Sequence, residues 1–457
     1  MKRNSEKYLK EWYFNKSRKP LIIRGARQVG KSTLVRNFAR LHQIPLFEIN
    51  LEKHKRLNTL FASFDIKRVK KELEYIVDKG PFNKGLLFLD EIQATPEALP
   101  CLRYFYEELP ELPVVAAGSL LEFVLSDHTF SMPVGRIEYH FLGPLRFEEY
   151  LEAMHEDSLV EYIKNFKFSE QSSPVMHDRL TAALRDFFFV GGMPEAVAQY
   201  SENHDFAVAR KTQRSILDTF RDDFGKYATR VQTAHLQDVF DYLPSGIGDK
   251  FVYSHVNRSL KAGEVRYAYD LLASAGVTQP VFATSGAGLP LSAHINRTIF
   301  KPLFLDIGLM NAALGSNFLP LEALQNSRLI NKGALAEQFV GQELLFFNEA
   351  YEKPLLHYWL REGRNANAEV DYLIQSQASI VPVAVKAGAA GHLKSLHQFV
   401  ANYGSSHAVR FDLNEPSIQK SRYSALSGTT SVEINFTLIS LPLYFAGQLK
   451  RMIAPGF

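Results

Sequence analysis

The sequence of 457 residues contains a single cysteine, Cys101, and it lacks long hydrophobic runs. One cysteine excludes an intramolecular disulfide and a cysteine-built zinc site, and it favours a reducing compartment. No uncharged apolar stretch reaches the length of about 18 residues that a membrane helix requires. The N-terminal residues 1–19 are charged throughout and have no apolar h-region, so no signal peptide is predicted. We therefore expect a cytoplasmic protein without membrane association.

Internal repeats and low-complexity tracts are also missing. The hydrophobic content of 46% and the charged content of 22% are ordinary for a globular protein. The formal net charge of +3 is not concentrated in one tract, so it permits contact with nucleic acid without predicting it. A chain of this length is expected to form about two to four domains.

The most specific motif lies in residues 20–40. An apolar run, Leu21–Ile23, precedes Gly25-Ala-Arg-Gln-Val-Gly-Lys-Ser32, and an apolar-periodic segment that predicts a helix follows. This is G-x-x-x-x-G-K-[ST] in its strand-loop-helix context, whose backbone amides, lysine and hydroxyl bind phosphates and Mg²⁺. A glycine-rich turn capping an ordinary helix is the alternative. We predict a nucleoside triphosphate site formed by Gly25, Ala26, Arg27, Gln28, Val29, Gly30, Lys31, Ser32 and Thr33.

A second apolar segment, Gly85–Leu89, ends in the paired carboxylates Asp90 and Glu91. Asp90 is predicted to hold Mg²⁺ together with Ser32, and Glu91 to orient and deprotonate the attacking water. Standing alone, such a pair is more often a solvated strand end. Next to a complete phosphate loop, the pattern favours the second half of a nucleotide site.

Two later residues are candidates for contact with the γ-phosphate. Ser119 follows a predicted strand, where it would act as a phosphate sensor, as the cap of a helix at Leu120–Leu125, or as both. Arg136 precedes a further predicted strand, Ile137–Leu142, and could stabilise the transferring phosphoryl group, in cis or from a neighbouring subunit of a homo-oligomer. A lone loop arginine is usually only solvated.

Five segments together carry a family resemblance: Gly25–Ser32, the strand end Leu89-Asp-Glu-Ile-Gln93, Ala117–Ser119, Gly135–Arg136 and Pro144-Leu-Arg-Phe-Glu-Glu-Tyr150. They resemble a large prokaryotic family of AAA-type ATPases whose C-terminal domain of unknown function contains a degenerate or active restriction-endonuclease-like fold. The resemblance covers nearly the whole chain. It implies ATP as the nucleotide, Mg²⁺ as the metal, and Arg136 as a finger or sensor arginine.

The middle of the chain is predicted to hold a helical lid and a winged helix. The lid is predicted to have a break at Phe187–Pro194, with a turn at Gly191-Gly192, and we favour a structural packing role for it. The winged helix would read DNA through Arg266, Tyr267 and Tyr269 on its second helix, with Arg258, Lys261 and Arg297 on the DNA backbone. Glu264 and Asp270 weaken that electrostatic case, and such modules also bind proteins.

The C-terminal segment resembles the PD-(D/E)xK nuclease fold. Residue by residue, Asp371 matches the first carboxylate, Lys386 the lysine and Glu337 the acid of the preceding helix. The second carboxylate position is Ala384, whose methyl group cannot bind a metal, so cleavage is not expected. Glu369 shares the strand face of Asp371 and is a weaker alternative ligand. Whether the domain is a binding relic or a nuclease whose carboxylate has been replaced stays open.

The predicted fold class is α/β. It comprises an AAA-type P-loop ATPase domain with a parallel sheet at 1–150, a helical lid at 151–230, a winged-helix module at 231–325, and a nuclease-like α/β domain, expected to be inactive, at 326–457. The predicted function is a Mg²⁺-dependent ATPase that acts on DNA. The alternatives are a nucleotide-gated switch of protein assembly and an ATP-dependent nuclease with an altered metal site.

Overall fold

The computed structural model describes residues 1–119, 121–122, 135–226, 228–315, 332–362, 368–386, 393–427 and 430–454. The helix predicted at Leu120–Leu125 therefore lies mostly outside the described residues. The chain divides into two compact units. Unit 1 consists of Met1–Pro144, Asp270–Val277 and Asn348–Lys353, and unit 2 consists of Leu145–Tyr269, Thr278–Phe347 and Pro354–Phe457.

Unit 1 is built on a five-stranded parallel sheet in the order β2-β3-β4-β1-β5. Every residue of β3 and β4 is buried, as expected for parallel strands that are covered on both faces. The predicted parallel sheet is thus confirmed. The strands are β1 (Leu21–Arg24), β2 (Leu46–Asn50), β3 (Leu86–Asp90), β4 (Val114–Ala117) and β5 (Glu138–Phe141).

The helices of unit 1 bury one apolar stripe each. In the charged segment Ile66–Val77, the apolar residues Ile66, Val69 and Leu73 pack into the same core as the sheet residues Leu87 and Leu89. The charged residues of that segment cover the outer face. The helices are α1 (Ser5–Phe14), α2 (Lys31–Leu41), α3 (Leu57–Phe61), α4 (Ile66–Val77) and α5 (Ala98–Glu108).

Unit 2 begins with helices, and the predicted break at Gly191 is one of its packing points. Gly191 has a φ of +70°, and a Cβ there would lie 2.2 Å from Oδ1 of Asp306. The amide of Gly192 donates to Asp306 at 2.6 Å, which supports the packing role. The helices are α6 (Phe147–Ala153), α7 (Asp157–Asn165), α8 (Pro174–Val190), α9 (Pro194–Asn203), α10 (Phe206–Asp223), α11 (Arg230–Tyr242), α12 (Tyr253–Val256), α13 (Ala262–Ser274), whose residues from Asp270 onward belong to unit 1, and α14 (Ile307–Ala313).

The segment Pro144–Tyr150, part of the family resemblance, also has a structural role. The partly buried side chain of Arg146 pairs with the buried Glu343 at 3.0 Å and donates to the carbonyl of Gly447 at 3.1 Å. Glu149 accepts from the amide of Arg146 at 2.9 Å and so caps α6. These contacts join residues far apart in the sequence, so this motif stabilises unit 2.

An eight-stranded mixed sheet, in the order β12-β13-β11-β10-β9-β8-β6-β7, forms the second half of unit 2. The strands predicted as a wing are β6 and β7, and β6 pairs in parallel with β8, so the sheet continues across the boundary predicted at 325/326. The strands are β6 (Thr278–Thr284), β7 (Ile295–Phe304), β8 (Leu356–Arg361), β9 (Ala368–Ser376), β10 (Ser379–Val385), β11 (His407–Asp412), β12 (Ser417–Ser427) and β13 (Thr430–Pro442).

Three further helices belong to this half of unit 2: α15 (Lys332–Leu344), α16 (Lys394–Tyr403) and α17 (Leu449–Met452). From α15 to β11 the element order is α-β-β-β-α-β, with an antiparallel meander followed by a strand parallel to β10. The register of β9 against β8 shifts between the pairs His357–Leu373 and Trp359–Val370, which leaves one extra residue on β9. This β-bulge lies at Asp371–Tyr372.

The second helix of the predicted winged helix is present as α13, but its aromatic side chains differ from the prediction. Tyr269, expected to be exposed, is fully buried, and its ring lies 4.5 Å from that of Phe300. Arg266 is half-buried and donates to the carbonyl of Arg297 at 3.0 Å. Of the three residues predicted to contact DNA bases, only Tyr267 is exposed, since Arg266 is half-buried and Tyr269 belongs to the core.

Candidate nucleotide site

The predicted phosphate loop connects the carboxyl end of β1 to the start of α2. Gly25 has a φ of +146°, and a Cβ there would lie 2.1 Å from the carbonyl oxygen of Leu142. Gly30 has a φ of +94° and caps α2. Both positions therefore require glycine, because other residues are strained at these angles. The loop has the backbone form that the motif predicts.

Lys31 is 8% exposed and is hydrogen-bonded to its own loop. Its Nζ donates to the carbonyl of Gly25 at 2.9 Å and to that of Ala26 at 2.6 Å. Burial lowers the pKa of Lys31 to about 8, although the charges of Glu91 and Asp90 act in the opposite direction. The ammonium thus has neutral hydrogen-bond partners and two carboxylates nearby, and it can exchange those carbonyls for phosphate oxygens.

Ser32 and Asp90 are in direct contact, as the sequence predicts for a magnesium site. The Ser32 hydroxyl lies 3.0 and 2.9 Å from the two carboxylate oxygens of Asp90. Burial raises the pKa of Asp90, while the hydrogen bond from Ser32 opposes this shift. A hydroxyl and a carboxylate are the hard oxygen donors that Mg²⁺ prefers, so this pair fits the metal.

Glu91 is held by two polar side chains, one of which the sequence reasoning did not single out. Gln93 donates its amide to Oε2 of Glu91 at 2.5 Å, and the Ser119 hydroxyl lies 3.4 Å from the same oxygen. The other amide atom of Gln93, Oε1, is buried and has no hydrogen-bond partner among the described residues. Gly118 leaves room for this side chain, since a Cβ there would lie 2.1 Å from Gln93 Oε1. In the sequence, the one feature that points to a role for Gln93 is its place in the segment Leu89–Gln93, which is part of the family resemblance.

Arg136 is placed away from these residues. Its Nε lies 2.9 Å from Oε1 of Glu107, near the end of α5. It precedes β5, whose first residue Glu138 pairs with Leu21, the first residue of β1. Arg136 therefore lies at the amino edge of the sheet, whereas the phosphate loop follows the carboxyl edge, about 13 Å away for four strand residues. The structure contradicts a role of Arg136 in its own chain's site, and a role in trans stays a prediction.

The second set of predicted site residues lies in unit 2 and surrounds a lysine that the sequence reasoning did not select as a ligand. Lys301 on β7 lies 3.3 Å from Oε2 of Glu337 on α15 and forms an ion pair with Glu369 on β9. Asp371, at the bulge of β9, interacts electrostatically with both Lys301 and Glu337. We call Lys301, Glu337, Glu369 and Asp371 the Lys301 cluster.

Ala384 and Lys386 were predicted to lie beside Glu337, but the structure places Ala384 on the opposite face of the sheet. Ala384 packs with the residues of α16, among them Phe399, whereas its neighbours Val383 and Val385 join the core of α15. Lys386 comes two residues after Ala384, so strand alternation places it with Ala384. The match of these two residues to the carboxylate and lysine of a nuclease beside Glu337 is therefore wrong.

The parallel sheet, the phosphate loop and the Ser32–Asp90 contact define the class of P-loop ATPases. Comparison with protein families gives a more specific result than this class. Residues 17–151 match the family described as AAA domain. We therefore assign this region to the AAA-type P-loop ATPases. Residues 181–319 match a domain of unknown function (DUF8612), and residues 332–443 match another domain of unknown function (DUF4143). No curated protein matches the sequence.

Several solved structures are similar to the chain. The Walker-type ATPase PABY2304 of Pyrococcus abyssi is 16% identical, with 68% of this chain and 95% of that chain covered and a TM-score of 0.44. The ORC2 protein of Aeropyrum pernix is 11% identical (71% and 95% covered, TM-score 0.35). The RuvB Holliday junction branch migration motor of Thermotoga maritima is 17% identical (60% and 88% covered, TM-score 0.25). With TM-scores below 0.5, these likenesses add nothing to the assignment.

Among the described residues, no helix combines the length and the apolar character that crossing a membrane requires. In the same part of the chain, no group of three or more histidine, cysteine, aspartate or glutamate side chains is arranged to hold a metal ion. The Ser32–Asp90 pair has only one carboxylate, which suits a metal whose remaining ligands come from nucleotide phosphates and water.

Proposed function

We propose that this chain is a Mg²⁺-dependent ATPase that acts on DNA. The observation that carries the ATPase part is the meeting of Lys31, Ser32, Asp90 and Glu91 at one edge of a parallel sheet, from elements far apart in the sequence. In such sites catalysis consists mainly of positioning and of electrostatic stabilisation of the phosphoryl group. Each of these residues has the chemistry for one such role.

Lys31 would leave the loop carbonyls and pair with the terminal phosphates of ATP. Ser32 and Asp90 would hold Mg²⁺, which when bound neutralises phosphate charge. Glu91 would accept the proton of the attacking water and orient it. Gln93 and Ser119 restrain the Glu91 carboxylate, so they would control when it meets that water.

The test of hydrolysis is the variant Glu91→Gln, which keeps the size of the side chain and removes its basicity. We expect turnover to fall roughly 10²–10⁴-fold while ATP affinity stays within about threefold, because the base acts only in the chemical step. Phosphate release and calorimetric ATP titration measure the two quantities. The control is Glu108→Gln, a change at an exposed residue of α5. Retention of more than half of the turnover by Glu91→Gln would refute the assignment.

The DNA part of the proposal is supported by exposed basic residues around α13. Arg258, Lys261 and Arg297 are exposed, and such side chains contact phosphates without reading sequence. With Tyr269 buried and Arg266 bonded to a backbone carbonyl, base reading by α13 has less support than backbone contact. We therefore propose binding with little sequence preference.

Salt-dependent binding of double-stranded DNA tests this part. We expect the Arg258→Ala, Lys261→Ala double variant to reduce the slope of log affinity against log salt by about 2, since each lost phosphate contact removes about 0.9. Lys79→Ala, a change at an exposed lysine of unit 1, is the control. If DNA neither binds nor stimulates ATP turnover, the proposal of a DNA substrate fails and the nucleotide-gated switch of protein assembly replaces it.

We also propose that Arg136 acts in trans in a homo-oligomer. Its exposed position at the amino edge of the sheet is compatible with reaching a neighbouring subunit's site. Mixing two inactive variants tests this directly: Arg136→Ala has an intact loop, and Lys31→Met has an intact arginine. Activity that reappears on mixing supports action in trans, because an arginine of this kind contributes about 10³–10⁵ in rate. Full activity of Arg136→Ala alone would remove the proposal.

A further inference from the structure

Lys301 is among the most buried charged side chains of unit 2, with 4% exposure. It belongs to β7, whereas the carboxylates around it belong to two other elements, α15 and β9. Its Nζ also lies 5.3 Å from the centre of the Tyr358 ring, a favourable cation–π distance. The ammonium thus connects its own strand β7 with β8, β9 and the helix α15.

Two further contacts hold Asp371 and the helix of Glu337 in place. Oδ2 of Asp371 accepts from the amide of Val385 at 2.7 Å. The hydroxyl of Tyr372 donates to the carbonyl of Glu337 at 2.8 Å, which holds α15 against the bulge of β9. The Asp371 carboxylate is therefore held by the backbone, whereas the carboxylates of Glu337 and Glu369 contact the lysine.

A divalent metal does not fit this arrangement. The ammonium of Lys301 contacts Glu337 and Glu369 directly, so it occupies the space between two of the three acids. Val383 and Val385, the β10 residues on the α15 side, have no donor atoms in their side chains. Within the described residues, no metal-holding group of acids is found.

The charges of the Lys301 cluster explain why the three acids need a cation among them. Three ionised carboxylates and one ammonium would carry a net charge of −2, and because burying uncompensated charge is costly, the acids hold their protons more tightly. Burial raises the pKa of Glu337 and of Glu369, and Asp371 raises both further. The fully buried Tyr358 interacts electrostatically with Glu369, and within the part of the chain that the structure describes its hydroxyl has no hydrogen-bond partner. The cluster thus contains more acids than cations, and its one fixed cation is a side chain.

We propose that the ammonium of Lys301 is a built-in cation that replaces a divalent metal ion among Glu337, Glu369 and Asp371. The C-terminal domain then binds no divalent metal at this cluster and carries no metal-dependent nuclease activity. Removing the charge of Lys301 turns the cluster into a divalent-metal site. This inference does not depend on the proposed ATPase function, since it concerns a different unit.

Mn²⁺ binding to the full chain without nucleotide tests the proposal, since Mn²⁺ prefers oxygen ligands and its free form is seen by electron paramagnetic resonance. Wild type, Lys301→Met and Lys301→Met with Asp371→Asn are compared. We expect Lys301→Met to bind one Mn²⁺ at least tenfold more tightly than any site in wild type, and the double variant to lose that binding. Thermal unfolding should show the same pattern, with Mn²⁺ raising the midpoint of Lys301→Met alone.

Two results would overturn the proposal. The first is Mn²⁺ binding by wild type that Asp371→Asn removes, since it would mean that the metal and Lys301 coexist. The second is the absence of Mn²⁺ binding from both Lys301→Met and Lys301→Gln when both are folded. Should neither variant fold without metal, refolding in Mn²⁺ decides, because recovery of the folded state supports the proposal and failure contradicts it.

Discussion

Lys31 in unit 1 and Lys301 in unit 2 are both nearly inaccessible to solvent, but they have different partners. Lys31 donates to two backbone carbonyls, and burial lowers its pKa to about 8. Burial also acts to lower the pKa of Lys301, but the attraction of Glu337, Glu369 and Asp371 outweighs it and raises the pKa. The positive charge of the lysine is therefore weakly compensated by its neighbours in unit 1 and strongly compensated in unit 2.

This difference separates a binding lysine from a structural one. An ammonium that is hydrogen-bonded to neutral groups gains by meeting an anion, so Lys31 is ready for phosphate. An ammonium that already contacts carboxylates gains little from a further anion, and its removal leaves unpaired buried charge. Burial alone would not have distinguished the two residues; the partners do.

The largest expected effect is on stability and concerns Lys301→Met. Removing one partner of a buried ion-pair cluster should lower the free energy of unfolding by roughly 3–5 kcal/mol, whereas Lys31→Met should change it by about 1 kcal/mol or less. Urea denaturation of both variants measures this difference. Equal losses for the two lysines would show that their partners do not matter as proposed.

The next effect is on ATP affinity and reverses the order of the two variants. Lys31→Met should weaken ATP binding by roughly 1.5–3 kcal/mol, about 10- to 150-fold, because a charged hydrogen bond to phosphate is lost. Lys301→Met should leave the affinity unchanged. Calorimetric titration with ATP and Mg²⁺ at neutral pH provides both values, and a loss of affinity in Lys301→Met would contradict the separation of roles.

The pH dependence of ATP affinity follows from the lowered pKa of Lys31. Only the charged amine pairs with phosphate, and the free protein loses that charge as the pH rises through about 8. ATP affinity should therefore fall about tenfold between pH 7 and pH 9, with proton uptake on binding at the higher pH. Lys31→Arg is the control, since its guanidinium stays charged and its profile should be flat over this range.

The smallest effect concerns Gln93, which holds Glu91 beside Lys31. Replacing it by leucine frees the Glu91 oxygen that now accepts from the amide, so we expect basal turnover to rise roughly two- to tenfold with an unchanged KM. Steady-state kinetics measures both constants. Ser119→Ala, which removes a contact of 3.4 Å, should have a smaller effect. A fall in turnover with Gln93→Leu would mean that Gln93 supports the productive position of Glu91.

Most of the nucleotide site was predictable because its information is local. The loop Gly25–Ser32 is a contiguous motif whose glycines have backbone angles that other residues avoid. Asp90 and Glu91 end an apolar strand, and carboxyl ends of parallel strands share one edge. Gln93 was not selected because its contact with Glu91 depends on the turn after β3 and on the space at Gly118.

The C-terminal cluster was only partly predictable because it depends on register. Glu337, Glu369 and Asp371 were identified as acids near one another, but a bulge of one residue in β9 changes which β10 residues accompany them. The bulge keeps Asp371 on the α15 side together with Tyr372, whereas Ala384 faces α16, so the match to a nuclease lysine at Lys386 fails. Lys301 lies 36 residues before Glu337 in the sequence, and nothing local indicates that its strand is the neighbour of this site.

The sequence by itself determined the class of the protein, since the phosphate loop and the strand-end carboxylates are specified by residue type and spacing over short distances. It also determined the order of most helices and strands, through apolar periodicity. Only the tertiary structure decided that Arg136 lies at the amino edge of the sheet, that Tyr269 is buried, and that Lys301 neutralises the acids of unit 2. The physical reason is that these properties depend on strand order and register, which bring together residues that no local pattern relates.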